Sequence, residues 1–83
     1  MFYTYILYSE KFDRYYIGQT NDLDKRVERH NNGYVRSTKA YKPWKLVYSE
    51  VFETRSESMQ RETALKKLKS KQAIQELLDS SRS

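Results

Sequence analysis

A glutamate set within the apolar stripe of a helix is the residue in this chain that most needs a chemical explanation. Glu62 stands three residues from both Met59 and Leu65, and those two with Leu68 mark the expected inward face of a helix. A carboxylate so placed must be paired, protonated or bound to a metal ion, because an isolated buried charge is costly. The plainer alternative is a glutamate at the edge of the stripe, reaching water or pairing with Arg61 or Lys66.

Arg26 and His30 form a second group. Four residues apart on a helix, they share a face with Leu23 and Val27. An arginine offers a planar fork of donors that matches phosphate oxygens, and a histidine can pass a proton near neutrality. The plainer reading is an exposed arginine and a histidine whose cation is favoured at a helix C-terminus. His30 is the single histidine, which excludes a two-histidine metal site.

Eight tyrosines are a third signal, with Tyr3, Tyr5, Tyr15 and Tyr16 crowded into two short runs. Buried phenols ordinarily serve as core residues with a satisfied hydroxyl. One beside an arginine or a metal-bound water can instead orient or deprotonate a nucleophile. Lys66, Lys67, Lys69 and Lys71, with Arg36, Lys39, Lys42 and Lys45, are candidates for contacts to a phosphate backbone. Tyr41 and Trp44 stand among them as stacking candidates. Pro43-Trp44 leads directly into a strand, however, which favours an inward Trp44.

The elements that must carry these residues are legible. Phe2 to Tyr8 has large aromatic and β-branched side chains on both alternating faces, the pattern of a central strand. Ser9 to Asp13 turns the chain into a second strand, Arg14 to Gly18, completing a hairpin. Asn21 or Asp22 caps a helix bearing Leu23, Val27 and His30, and Asn31-Asn32-Gly33 stops it. Tyr34 to Trp44 reads as a loop and Lys45 to Phe52 as a third strand. Thr54-Arg55-Ser56-Glu57 has capping-box spacing and opens the second helix. Ser70 separates that helix from a last one burying Ile74, Leu77 and Leu78. The order β-β-α-β-α-α predicts one α+β domain over residues 1–78, with a small, mainly antiparallel three-stranded sheet and a frayed tail at 79–83.

Composition bounds the function. The 83 residues carry 37% apolar and 33% charged side chains, which fits one globular domain with a modest core. Sixteen Lys and Arg against eleven Asp and Glu leave a net charge of +5, which favours polyanionic partners. The absence of cysteine removes disulfides, thiolate metal sites and cysteine nucleophiles, and suits a reducing cytoplasm. The apolar start is too short for a membrane span and lacks a signal peptide's basic opening. A cytoplasmic protein without a membrane partner is expected.

Taken together, these residues resemble the GIY-YIG nuclease family, in its small free-standing bacterial form. Tyr3-Thr4-Tyr5 stands where the first triplet belongs, and Tyr16-Ile17-Gly18 matches the second in full. Gly18 to Val27 resembles the family's glycine-to-arginine segment, and His30 follows where the family has His or Tyr. Pro43 with Leu46-Val47-Tyr48 resembles the third strand, and Arg61-Glu62 with Leu65-Lys66 the helix that carries the metal-binding glutamate. The resemblance runs from Met1 to Leu78. The first triplet keeps only its final tyrosine, Gln19 stands where some relatives have lysine, and Ile74 lies in the region where some have asparagine.

The resemblance implies an endonuclease that hydrolyses phosphodiesters in nucleic acid, with DNA the expected substrate, as a monomer or weak dimer. It implies that Glu62 holds a single Mg²⁺ or Mn²⁺ and that Arg26 clamps the scissile phosphate. Tyr5 or Tyr16 would orient or deprotonate the attacking water, and His30 would relay a proton or hold a partner by hydrogen bond. Gly18, Gln19, Lys39 and Lys66 would line the substrate path, with Gly18 allowing close backbone approach. The departures at Gln19 and Ile74 motivate a second reading, a catalytically weak nucleic-acid-binding module on the same fold. A third is a small interaction domain with no nucleic-acid role. The whole proposal requires Glu62, Arg26 and the hairpin phenols to meet on one concave surface.

Overall fold

The computed structural model describes residues 1–68 and 70–80. The backbone-contact candidate Lys69 and the last three residues of the expected tail lie outside that range. Three strands and three helices follow in the expected order: β1 (Phe2–Ser9), β2 (Arg14–Thr20), α1 (Leu23–Asn31), β3 (Lys45–Phe52), α2 (Arg55–Lys66) and α3 (Lys71–Ser80). The sheet is antiparallel throughout, in spatial order β2-β1-β3.

β1 is the central strand because both of its faces are covered. Ile6 pairs with Ile17 of β2, and both pack with Leu65 of α2 and with Ile74 and Leu78 of α3. On the opposite face Tyr5 and Leu7 pack with Trp44, Tyr16, Tyr41 and the α1 residues Leu23 and Val27. The domain therefore has three layers, with α1 and the α1–β3 connection on one side of the sheet and α2 with α3 on the other. β2 and β3 are its edges. The register shifts between Ile6 and Leu7 on the β3 side, where Ile6 faces Tyr48 and Leu7 faces Leu46, so Val47 is the inserted residue.

Local sequence sets the helix ends. Asp22 caps α1 by accepting from the Lys25 N–H. Thr54 caps α2 by accepting from the Glu57 N–H at 3.2 Å, and its hydroxyl donates to the Glu57 carboxylate at 3.0 Å. Ser70 accepts from the Ala73 N–H at the start of α3. The hairpin turn is tied to the start of α3, since Asp13 accepts from both Tyr8 and Lys71.

Several boundaries differ from the sequence reading. β2 continues two residues past Gly18 because Gln19 and Thr20 keep pairing with Thr4 and Tyr3. The stretch from Tyr34 to Trp44 contains a 3₁₀ turn, Lys39–Tyr41. Helix α3 carries through Asp79 and Ser80, beyond the expected domain end at Leu78.

The inward face of α2 also requires correction. Met59 and Leu68 are exposed, at 48% and 36%, whereas Ser58 and Leu65 are buried at 0% and 2%. Ser58 is the point of closest contact with the sheet, and its carbonyl accepts from the Thr4 hydroxyl at 2.7 Å. A small residue there lets the helix approach; a hydrophobic count overlooks it because serine is polar. Glu62 keeps its place on the corrected line, four residues after Ser58 and three before Leu65. Among the described residues no helix is long and apolar enough to cross a membrane. The corrected face makes a sharp forecast: Leu65→Ala should lower unfolding free energy by about 2–4 kcal/mol. Met59→Ala should change it by less than about 0.5 kcal/mol, both read from urea denaturation.

Candidate active site

Tyr5 is the hub. Its register partner on β2 is Gly18, and its ring lies over that glycine. A Cβ added at Gly18 would stand 2.6 Å from the Tyr5 hydroxyl oxygen and 2.7 Å from Cζ, so the phenol occupies the space a side chain would need. The freedom expected of Gly18 is thus used first by the protein's own tyrosine. The Tyr5 hydroxyl then meets His30 Nε2 at 3.0 Å, and His30 Nδ1 meets the Thr38 hydroxyl at 2.7 Å. Tyr16 completes the cluster, with ring centroids 4.9 Å from His30, 6.3 Å from Tyr5 and 6.3 Å from Trp44.

The sequence placed His30 on the α1 stripe, and the structure buries it completely. It is therefore not the exposed helix-terminal cation of the plainer reading. Burial first, then the positive charges of Arg26 and Arg29, lower its pKa from 6.5 to about 4. The imidazole is neutral near pH 7, with both nitrogens engaged in hydrogen bonds. The Tyr5 phenol is held far above its ordinary pKa, mainly by burial and then by Tyr16. Arg26 pulls that value down and Glu62 pushes it up, which places both charges within electrostatic reach of the phenol.

Arg26 belongs to the layer on one face of the sheet and Glu62 to the layer on the other. Both act on a phenol that reaches over the edge strand β2. That edge is where the influences of the two layers overlap on one phenol. Beside it an open groove of about 630 Å³ runs between β2 and α2–α3, lined by Arg14, Tyr15, Tyr16, Leu65, Lys66 and Lys71. Tyr16 and Lys66 belong to both features.

Glu62 is partly buried, with 21% of its side chain exposed, and its Oε2 lies 3.1 Å from Lys66 Nζ. The pairing named as the plainer alternative is thus present, but Lys66 is 56% exposed and holds the carboxylate only loosely. Arg61 pairs elsewhere, with Glu50 of β3 at 2.7 Å. No three His, Asp or Glu side chains gather as a metal cage among the described residues. A cation at Glu62 would rest on this one carboxylate, with water and phosphate oxygens as its other ligands, a donor set that suits Mg²⁺ or Mn²⁺.

The remaining expected residues divide. Gln19 is half-buried and accepts from the Ser58 hydroxyl at 3.4 Å, so it faces α2. Lys39 is exposed in the 3₁₀ turn, one residue after Thr38. Trp44 is buried, its indole N–H donating to the Thr38 carbonyl at 2.9 Å. Two residues escaped the sequence reading. Thr38 is 1% exposed and touches His30, and Asn31, read only as a helix stop, clamps the Trp44 backbone by accepting from its N–H and donating to its carbonyl. A polar loop with Arg36, Ser37 and Lys39 beside it hid Thr38; only its spacing of eight from His30 marks it, and that spacing has no helical meaning.

A family model described as the GIY-YIG catalytic domain matches residues 1–75. A UPF0213 protein of Clostridium perfringens is 45% identical over 76 residues, covering 90% of this chain and 81% of the relative. The UPF0213 protein YazA of Bacillus subtilis is 46% identical over 59 residues, 70% of this chain and 60% of the relative. The solution structure of a UPF0213 protein from Bacillus halodurans is 31% identical, with a TM-score of 0.59, and the match covers 95% of this chain and 84% of that one.

Two outcomes test the hub. Gly18→Ala should destabilise the domain by about 1–3 kcal/mol, and a double-mutant cycle with Tyr5→Ala should recover much of that cost. Because the folded His30 has the lower pKa, the unfolded chain takes up the proton first as pH falls. Its contribution is complete above 6.5 and is lost as pH falls to about 4. The loss should total roughly 3 kcal/mol, and urea melts across that window should show a shallower slope for His30→Gln than for wild type.

Proposed function

The chain belongs to the GIY-YIG catalytic domain family, and from that premise we propose that it is a metal-dependent endonuclease hydrolysing phosphodiester bonds in DNA at a single site. Membership in a family of nuclease domains supports a nuclease-type activity on nucleic acid. The observation that carries the finer reading is the pair of opposite charges, Arg26 and Glu62, acting on one buried phenol beside Tyr16. A net charge of +5 and the groove cations Arg14, Lys66 and Lys71 favour a polyanion along the β2 edge.

In this reading Arg26 binds a non-bridging phosphate oxygen and stabilises the charge that grows as water attacks in line. Tyr16 orients that water from the β2 edge, braced by Tyr5, which His30 holds in place. Glu62 would hold one Mg²⁺ or Mn²⁺, which would supply Lewis-acid stabilisation of the developing charge when bound. Lys66 is freed from Glu62 and turns to the phosphate backbone, with Lys39 contacting it further along. Gln19 positions α2 against β2. The small surface favours backbone or structure recognition over base reading. One such site cuts one strand. The cysteine-free chain suits a reducing cytoplasm, where its substrate would be met.

One observation favours the second reading, a binding module with little catalysis. Ile74, in the region where some relatives carry asparagine, packs in the core with Leu65 and Leu78 and brings only an apolar side chain, with no hydrogen-bonding group, to the groove wall. Plasmid nicking in Mg²⁺ or Mn²⁺ separates the two. The nuclease reading expects wild type to nick, with Glu62→Ala and Arg26→Ala each at least about a hundredfold slower, while salt-sensitive DNA binding persists. Equal nicking by wild type and Glu62→Ala would reveal a contaminant and sink the enzyme. Binding without nicking would establish the module.

A further inference from the structure

We propose that Thr38 is a positioning residue: it holds His30 as the Nδ1–H tautomer, so that the Tyr5 hydroxyl donates to His30 Nε2 and the phenol is fixed in place across Gly18. The inference rests on the nuclease reading only for its kinetic arm.

Thr38, His30 and Tyr5 are exposed by 1%, 0% and 1%, so each proton must find its acceptor within the protein. The Thr38 hydroxyl has one proton and two partners, the Val35 carbonyl at 3.3 Å and His30 Nδ1 at 2.7 Å. If it donates to Val35, its oxygen is free to accept from an Nδ1–H. Nε2 is then bare and accepts the Tyr5 proton across 3.0 Å. All three protons are placed. In the reverse order Thr38 donates to Nδ1, Nε2–H donates to the phenol oxygen, and the Tyr5 proton is left over. His30 is the only hydrogen-bond partner of that hydroxyl among the described residues. The tautomer of a histidine is set by the bond its other nitrogen makes, and here that bond is to Thr38.

Thr38 is itself fixed. Its N–H donates to the Val35 carbonyl at 3.1 Å, and its carbonyl accepts from the Trp44 indole at 2.9 Å. The side chain cannot withdraw without disturbing that buried tryptophan. The consequence for the site is positional. With its proton committed to His30, Tyr5 is held across Gly18 and beside Tyr16 as a fixed wall of the site.

Solution NMR of the full chain with ¹⁵N-labelled histidine reads the tautomer directly, because protonated and bare ring nitrogens resonate far apart. At neutral pH wild type should show a protonated Nδ1 and a bare Nε2. Thr38→Val removes the acceptor, leaves one proton unplaced in either tautomer and should release the proton from sole residence on Nδ1, whereas Thr38→Ser should keep it there. In the nicking assay Thr38→Val should lower kcat by about tenfold with KM unchanged, the worth of one net hydrogen bond, and Thr38→Ser should restore it. A wild-type spectrum with Nε2–H, or an Nδ1–H that survives Thr38→Val in full, overturns the proposal. Should Thr38→Val fail to fold, the wild-type spectrum decides alone. A chain that never cleaves defeats the nuclease reading and leaves the tautomer result standing.

Discussion

The Tyr5 side chain lies across Gly18 of the neighbouring strand and ends at His30 Nε2, 3.0 Å away. That single hydrogen bond joins the central strand to α1, and it exists because position 18 has no side chain. Each partner constrains the next. Gly18 admits the ring, the ring directs the hydroxyl at His30, and His30 is held from behind by Thr38. Thr38 in turn receives the indole of Trp44, whose backbone is clamped by Asn31 at the end of α1. A chain of buried polar contacts thus closes on itself through one helix and the connection that follows it, and no buried side-chain polar atom among the described residues is left without a partner. Such a network favours one arrangement over near alternatives, because each displaced member leaves another unsatisfied.

The three-layer plan explains how so small a sheet gathers chemistry from both faces. A central strand covered on both sides offers nothing to solvent, so a site must form at an edge. On the β2 side, α1 delivers Arg26 from one layer and α2 delivers Glu62 from the other, with the Tyr5 phenol between their fields. The α2 contact depends on Ser58, whose smallness brings the helix down to Thr4 and sets the height at which Glu62 leaves it. Packing and electrostatics are therefore not separate here. The residue that allows the close approach also decides where the carboxylate stands.

Much of this was legible in the residues, and what was not has a physical reason. The two-faced bulk of Phe2 to Tyr8 announced a central strand, and the capping residues Asp22 and Thr54 placed both helix starts. The strand Lys45–Phe52 was bounded as expected. The α2 face was misread because exposed Met59 and Leu68 look like core residues, while buried Ser58 does not. Apolar side chains are free to sit in water, so the pattern points one way only. Thr38 was missed for a different reason. It sits between helix and strand, where no periodicity links it to His30, and only tertiary structure brings the two to 2.7 Å. Tyr5, Tyr16, Arg26 and Glu62 were singled out as types and spacings, but that Tyr5 lies beside Tyr16 and feels the charges of both Arg26 and Glu62 is a property of the layers, which no local pattern encodes.

The distribution of charge then limits what the protein's own groups can contribute. Burial keeps Tyr5 a phenol and His30 an imidazole at neutral pH, since each is shifted away from its ionised form. Neither is a strong base or acid in that state. In the proposed nuclease such a site would act chiefly by placement, with neutral groups fixing the direction of hydrogen bonds and Arg26 meeting the charge that develops. An arginine suits that task because it stays protonated at any working pH. The same burial that would weaken Tyr5 and His30 as proton carriers makes them rigid, and rigidity is what an orienting group needs. Full enclosure of the imidazole, far from being a defect in a catalytic histidine, is the condition under which it can hold a tyrosine still.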